Sequence, residues 1–451
     1  MNSLLFSSLI VLCVSCASSL RIKTREEQPT LPRKTTEAPV PKKWALLVAG
    51  SNGWGNYRHQ ADICHAYQIL RKNGFLAENI ITMMYDDIAN DKNNPTPGVI
   101  INSPNGTDVY KGVVIDYREN DVTPENFLKV LQGKKSLMSG IGSGKVIESG
   151  PDDYIFVNFA DHGGDHILCF PNDVLHSKDL ISALNNMTDE KRYNKMFLYI
   201  EACEAGSMFE SLLKDTTNIF VMAAATPDES SYACYWDDKM EVFLGDLFSV
   251  NWMHQVEIEK LSTVSLHHIF ERVRTKTTKS HAEEYGDLDI GSTKVSEVIG
   301  ESKQVDENEA TPFVDPNLDA VPQPEAKTSG LQLALESAIK RQDQPAIRKY
   351  KKLLSEEIRK RLVHMKKLND ILAKLTNSDP AKIKLLEQSR VAVNDEGLEC
   401  YKTALEAYLS SCLNFPEREF MYPSMKYFLR LCHADWTHIG HITNAIKSAC
   451  H

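Results

Sequence analysis

Two short stretches hold side chains suited to be a nucleophile and its base. Tyr199-Ile200-Glu201-Ala202-Cys203-Glu204-Ala205-Gly206-Ser207 follows the apolar run 196–200 and precedes an expected helix. A cysteine where a buried strand gives way to a helix N-terminus is well placed for attack. The partial positive charge there lowers a thiol pKa, and the thiolate is the reactive form. Gly206 is expected to let the backbone turn tightly. Upstream, a second apolar run, 154–159, ends in Ala160-Asp161-His162-Gly163-Gly164. Neighbouring parallel strands that end in His-Gly and in Cys would bring both side chains to the carboxyl edge of a sheet, where open α/β sheets keep their active sites. By themselves the two residues fit a blander reading equally well, a buried thiol and a structural histidine.

The elements that must position them are legible as an alternation. Residues 44–50 read as a strand, and 62–73 as a helix capped by Gly74. A strand at 80–85, a loop-rich stretch at 86–125 and a helix from Pro124 to Leu131 follow. Three more strands are expected at 154–159, 196–200 and 219–225. Strands alternating with helices imply an α/β domain whose mainly parallel sheet is covered on both faces.

The chain has 451 residues, 42% hydrophobic and 25% charged, enough for two or three globular domains. Residues 1–17 look like a signal peptide, with small residues at Ser15 and Ala17 before the cut. Residues 18–40, rich in Thr, Pro, Lys, Arg and Glu, read as an extended leader. A globular domain at 41–302, a linker at 303–330 and a helical domain at 331–451 complete the expected organisation. From residue 331 there are 20 Lys and Arg against 14 Asp and Glu, a net of +6. The remainder carries −16 of a total of −10. The two parts are expected to attract each other, although any one charge also suits a solvated helix face. Arg348-Lys349-Tyr350-Lys351-Lys352 suggests nucleic acid, but an acidic chain behind a signal peptide argues against it. No later run reaches membrane-spanning length, so a soluble product of the secretory pathway is expected, without a membrane anchor.

Of ten cysteines, Cys13 and Cys16 fall in the signal segment. Cys400, Cys412, Cys432 and Cys450 cluster late and imply two disulfides, with three possible pairings. Asn105-Gly106-Thr107 and Asn186-Met187-Thr188 are glycosylation sequons.

The chain carries, in this order, Ala49-Gly50-Ser51-Asn52-Gly53-Trp54, Asn56-Tyr57-Arg58-His59-Gln60-Ala61-Asp62, Met83-Met84-Tyr85-Asp86-Asp87, Asn105-Gly106-Thr107-Asp108-Val109-Tyr110, Asp161-His162-Gly163, Glu201-Ala202-Cys203-Glu204 and Glu229-Ser230-Ser231-Tyr232-Ala233-Cys234-Tyr235. Together these stretches resemble the legumain (asparaginyl endopeptidase) family of cysteine proteases. The resemblance implies a caspase-like fold, no cofactor and no metal, and an all-α C-terminal prodomain. It makes Cys203 the nucleophile, His162 the catalytic histidine and Asn56 its orienting partner. The backbone N–H groups of Gly163 and Cys203 would form the oxyanion hole. Arg58, Glu201 and Asp246, with His59, Ser230 and Ser231, would form a zwitterionic pocket. Such a pocket offers donors to one end of an Asn carboxamide and acceptors to the other. The same pocket would take Asp at acid pH, once that side chain is protonated. Without the resemblance, Arg58 and Glu201 read as a structural ion pair. Asp161 matches an aspartate that can form a succinimide, and it equally suits a loop carboxylate holding backbone N–H groups.

The resemblance also pairs Cys400 with Cys432 and Cys412 with Cys450, and leaves Cys64 and Cys234 unpaired. It implies an acid-activated zymogen that its prodomain inhibits. The family's usual processing asparagine has no counterpart in Arg341-Gln342-Asp343-Gln344-Pro345-Ala346, so the cut is expected after Asn317 or Asn308, or after Asp343 once acid has protonated it. Protein and peptide substrates, cystatin-type inhibitors, peptide ligation beside hydrolysis, and a lysosomal, endosomal or secreted location follow in the same way. This chain departs from the family at Gly164-Asp165-His166, which either line the non-primed side or decorate the rim. Ala205 and Cys169 are milder changes. Three other readings compete. A metal site among His59, Cys64, His65, His162 and His166 lacks a usual zinc spacing. A catalytically silent homologue acting as a binding module is disfavoured by the retained Cys203, His162 and Asn56. A membrane-anchored transamidase would need a C-terminal span.

Overall fold

The computed structural model describes residues 41–302, 314–388, 390–412 and 419–450. The expected signal segment and leader, the first part of the linker and Asn308 lie outside the described residues. The core is a six-stranded sheet in the order Glu283–Gly286, Ile219–Ala223, Lys195–Glu201, Tyr154–Ala160, Lys43–Ala49, Ile80–Met83. All neighbours are parallel except the edge strand Glu283–Gly286. Successive side chains of a strand point to opposite faces. Ala45, Leu47 and Ala49 thus join one core with the helices Tyr57–Lys72, Leu247–Ile258 and Leu266–Lys276. Trp44, Leu46 and Val48 join a second core with Pro124–Leu131 and Ser177–Asp189. Burial on both faces explains why these strands read as unbroken apolar runs.

Three local expectations are corrected. The helix expected at 62–73 starts five residues earlier, at Tyr57. Its first turn, Tyr57-Arg58-His59-Gln60, is buried although mostly polar. Apolar periodicity is blind to a polar turn of that kind. No α-helix follows Cys203; a 3₁₀ turn, Ala205–Met208, does. The left-handed residue of the bend is Glu204, at φ 50°, not Gly206. Gly206 instead sits where a Cβ would collide with the Tyr285 hydroxyl.

The linker assigned to 303–330 is structured at its far end. Val321–Pro322 pairs antiparallel with Tyr232–Asp237, and a helix begins at Ala326. Beyond it, Gln344–Thr376, Pro380–Gln388, Asp395–Cys412, Lys426–Cys432 and Ile439–Cys450 pack around Leu368, Tyr401, Tyr408, Phe428 and Ile442. Ile167, Cys169 and Val174 of the α/β part enter that same core. Cys400 is joined to Cys432 and Cys412 to Cys450, the pairing the resemblance implies. Cys64, Cys169, Cys203 and Cys234 are free and buried. Among the described residues no helix is long and apolar enough to cross a membrane. Asn105 and Asn186 are both exposed.

Candidate active site

The strands Tyr154–Ala160 and Lys195–Glu201 are neighbours, with Ala160 opposite Glu201. Two residues past that pair on each strand stand His162 and Cys203, at the carboxyl edge of the sheet. The Asp161 N–H donates to the Glu201 carbonyl and carries the ladder past the strand ends. Gly163 packs so closely on the Cys203 carbonyl that a Cβ there would overlap it. The site demands glycine at this position through close approach rather than through φ.

His162 Nε2 lies 2.9 Å from Asn56 Oδ1. The Asn56 amide group donates to the Asn52 carbonyl and to Glu419 Oε1, at 3.1 and 2.8 Å. Its oxygen is therefore the acceptor, and Nε2 carries the proton. That tautomer leaves a lone pair on Nδ1, which has no hydrogen-bond partner among the described residues. Burial, reinforced by Arg58, holds the imidazole pKa well below its usual value, so the ring is neutral. Cys203 is 1% exposed, and its sulfur lies near the Ser231 carbonyl and hydroxyl, at 4.0 and 3.9 Å. Burial first, and then Glu204, push its thiol pKa up. The expectation of a thiol activated by a helix N-terminus is thus overturned: the helix is absent, and the covered thiol rests protonated.

Beside the pair lies a buried polar pocket. Arg58 Nε donates to Asp246 Oδ1 at 2.8 Å. Glu201 Oε2 accepts from the Ser249 N–H and hydroxyl. The Glu201 pKa is pushed up to about 8, by burial and then by Asp246. Burial also raises Asp62 and Asp246. Arg58 and Glu201 do not pair directly in the structure; Arg58 pairs with Asp246 instead. His59 Nδ1 sits 2.6 Å from the Ser51 hydroxyl and 3.2 Å from Asp161 Oδ1. Its ring meets His162 edge-on, with centroids 4.9 Å apart. Glu201 Oε1, Asp246 Oδ2 and His59 Nε2 are buried without a hydrogen-bond partner among the described residues. His59 Nε2 and Asp246 Oδ2 lie 3.5 Å apart, so Glu201 Oε1 is the least engaged of the three. Buried polar atoms gathered in this way around Arg58 suit a polar ligand. Donor atoms of His59, Asp161 and His162 lie within 4.8 Å of one another. Burial, and after it the Arg58 charge, holds both histidine pKa values down, and that charge also opposes a cation there.

Sequence reasoning missed the pocket's occupant. Gln323 is buried, and its Oε1 accepts from an Arg58 Nη at 3.3 Å. The Gln323 N–H donates to the Ser231 carbonyl at 2.9 Å, which continues the Val321–Pro322 pairing. The missed signal is faint, a carboxamide between two prolines in an acidic linker. Ser51, Asp62 and Ser249, which brace the pocket, were also missed. Ser230 lies half-buried beside Ser231 and helps keep the Cys203 pKa from rising further. Glu419, Phe420 and Tyr422 line a cavity of about 490 Å³ together with Asn56, Arg58 and His162. Asn317 and Asp343 lie away from the pocket. The Asn317 side chain binds Lys276 and Thr278, and Asp343 caps the helix Gln344–Thr376.

A neutral imidazole held by an asparagine, next to a thiol at the edge of a parallel sheet, defines a thiol-dependent hydrolase of the α/β type. Residues 43–301 match the peptidase C13 family, and the chain belongs to it. It is 42% identical to legumain of Bos taurus over 91% of this chain and 93% of that one. With legumain of Homo sapiens it shares 43% over 87% and 89%. A vacuolar-processing enzyme of Citrus sinensis is 44% identical over 62% and 58%. Among solved structures, caspase-1 from Spodoptera frugiperda superposes with a TM-score of 0.35 at 10% identity, over 58% of this chain and 92% of that one. A likeness so slight carries no argument, and the fold rests on the sheet described above. The chain is a cysteine endopeptidase that acts on protein substrates.

Proposed function

We propose that the chain is a latent asparaginyl endopeptidase in which Cys203 is the nucleophile, His162 the general base and Asn56 the group that orients it. The observation that carries this reading is Gln323. A carboxamide on an edge-paired segment presents its oxygen to Arg58, as an Asn side chain of a substrate would. Peptides often bind by adding a strand to an exposed sheet edge. The amide end of the shorter Asn would then turn toward Glu201 and Asp246, each of which has a carboxyl oxygen without a hydrogen-bond partner among the described residues. An Asp substrate fits once acid gives its carboxyl a proton.

In the reaction, His162 Nδ1 takes the Cys203 proton as the sulfur bonds to the carbonyl carbon. The Gly163 and Cys203 N–H groups receive the oxyanion. The imidazolium returns the proton to the leaving amine, and a thioester remains. Water then yields the acid, and an incoming amine yields a new peptide bond. Access of water to the thioester sets the balance. Asp161, whose burial raises its pKa, is a candidate for succinimide formation because its carboxyl abuts the His162 N–H.

Latency fits the contacts of Glu419 with Asn56 and of Gln323 with Arg58. Arg390 pairs with Asp228 and Glu210, Lys402 with Asp179, and Lys349 with Glu241 across to the α/β part. Surface carboxylates take up protons as pH falls toward 4, so acid weakens such contacts. Asp165, raised to about 6 chiefly by burial, works in the other direction, because covering favours its protonated form. Release therefore depends on the exposed pairs outweighing it. Cleavage after Asn308, Asn317 or Asp343 would make release permanent, and a secretory or lysosomal setting would supply the acid. Cystatin-type inhibitors would compete for the same cleft.

The test is to express the chain from residue 18, acidify it, and assay peptides with Asn, Asp or Ala before the scissile bond. Cleavage after Asn, lost on stoichiometric alkylation of Cys203, is the expected result. Equal cleavage after Ala rejects the specificity. Activity that survives alkylation rejects the nucleophile.

A further inference from the structure

A second polar groove opens beside the reactive pair. Asp165 stands two residues after Gly163, and Glu204 directly after Cys203. With Glu210 and Asp228 they place four carboxyl groups in one region of the α/β part. A cavity of about 280 Å³ lies there, with Asp165, Glu210 and Asp228 on one wall and Arg390 and Arg430 on the other. Arg390 is seated in it. Its Nε lies 2.5 Å from Asp228 Oδ2, and an Nη lies 3.1 Å from Glu210 Oε2. Glu204 is 8% exposed, and its Oε2 has no hydrogen-bond partner among the described residues. The groove thus already holds a guanidinium, and a buried acceptor without a partner lies close enough to feel the charges of Asp165 and Asp228.

The pairing of the linker fixes which side of a substrate passes this groove. Val321 lies opposite Ala233 and Pro322 opposite Tyr232, and the Gln323 N–H reaches the Ser231 carbonyl. The segment is antiparallel, so residues following the pocket residue run toward 230, 229 and 228. This chain leaves that path at once, in the 3₁₀ turn Gln323–Glu325. Its own linker therefore does not reach the groove, and Arg390 fills it from a different direction. A substrate strand that held the register would bring its first residues after the scissile bond past Asp228.

We propose that Asp165, Glu210 and Asp228, with the buried Glu204 close by, form a primed-side subsite for an arginine or lysine of the substrate, which Arg390 occupies in the latent chain. The proposal rests on the asparaginyl endopeptidase reading, since it needs the C-terminal region to leave the cleft. It also gives a role to Asp165, where the sequence departs from the family. The structure thus assigns Asp165 to the primed side rather than to the non-primed side or the rim.

The test uses the acid-activated protein and a neutral parent peptide with one Asn. Lys, Arg, Gln and Glu are placed in turn at each of the first four positions after it. At one or two of these positions kcat/KM should favour Lys and Arg over Gln by about threefold to tenfold, as for partly exposed charged hydrogen bonds. Glu should be disfavoured. Raising the salt to 1 M should shrink the ratio, and Asp228→Asn and Asp165→Asn should each reduce it. The ratio, not the rate, is the readout. If the parent is cleaved after Asn but the ratio is flat at all four positions, the subsite is wrong and the protease reading stands. If the parent is not cleaved after Asn, the protease reading fails and the subsite falls with it.

Discussion

His162 and Cys203 are 41 residues apart, the same offset that separates every strand partner between Tyr154–Ala160 and Lys195–Glu201. The two side chains are thus set by a backbone ladder rather than by loop conformation. Rigid strands hold reacting groups more closely than loops do. Cys203→Ala should abolish cleavage after Asn while circular dichroism and melting temperature stay near the parent's. Removing one buried sulfur atom costs on the order of 1 kcal/mol. Asn56→Ala frees the ring to choose the wrong tautomer and should lower kcat by roughly one to two orders of magnitude. Substantial turnover by a clean Cys203→Ala preparation would show that the nucleophile lies elsewhere.

Arg58 is the one cation among the named groups of the pocket, and it faces Asp246 and Gln323. Arg58→Ala should remove selectivity for Asn over Ala, a loss of several kcal/mol in transition-state binding. It also leaves Asp246 unpaired, so about 3–5 kcal/mol of stability should go with it. Selectivity measured on the fraction that remains folded separates the two effects. Unchanged selectivity would put the specificity pocket somewhere else.

Glu201 gives the pH dependence a sign. Its folded pKa, about 8, lies above that of an unfolded glutamate. The folded state therefore binds an extra proton between roughly pH 4.5 and 8, and stability falls as pH rises through that window. Glu201→Gln removes the titration. The melting temperature of wild type minus that of the variant should decrease from pH 5 to pH 8, by the equivalent of a few kcal/mol at most. A difference that is flat with pH would mean that Glu201 stays ionised throughout.

How much of this was readable beforehand depends on which physical signal each residue carries. The strands ending at Ala160 and Glu201 were legible because burial on both faces makes them unbroken apolar runs. The adjacency of His162 and Cys203 followed from that. The first turn of Tyr57–Lys72 was not legible, since Arg58, His59 and Gln60 are polar residues buried by partners far away in sequence. The turn after Cys203 was misread for a related reason. A run of small residues suits a helix start, but the left-handed Glu204 and the contact between Gly206 and Tyr285 break it. Gln323 carried almost no signal. Its meaning lies wholly in tertiary contacts with Arg58 and Ser231.

The disulfides Cys400–Cys432 and Cys412–Cys450 span 32 and 38 residues. Each closure is worth roughly 3–4 kcal/mol by loop entropy. Reduction should lower the first unfolding midpoint in urea, with the lost signal coming from the helices after residue 344. Hydrogen exchange resolved by segment would locate it. Equal loosening of the central sheet and these helices would show that the two parts unfold as one.

Gln323 makes the final prediction, about what keeps the chain silent. Its side chain contributes a hydrogen bond to a charged group inside a buried pocket, and its N–H anchors the strand Val321–Pro322. Losing a hydrogen bond to a charged partner costs about 1.5–3 kcal/mol. That is roughly a tenfold to hundredfold change in the open fraction. The cover is held elsewhere too, through Ile167, Cys169 and Val174 in the C-terminal core and through Glu419 on Asn56. Gln323→Ala should therefore open the pocket without releasing the helical region. Uncut Gln323→Ala at neutral pH should react with a small thiol alkylator at Cys203 at least several times faster than uncut wild type. Its cleavage of a long peptide should rise much less. Equal alkylation rates would mean that the helical cover alone blocks the thiol and that Gln323 fills the pocket without guarding it.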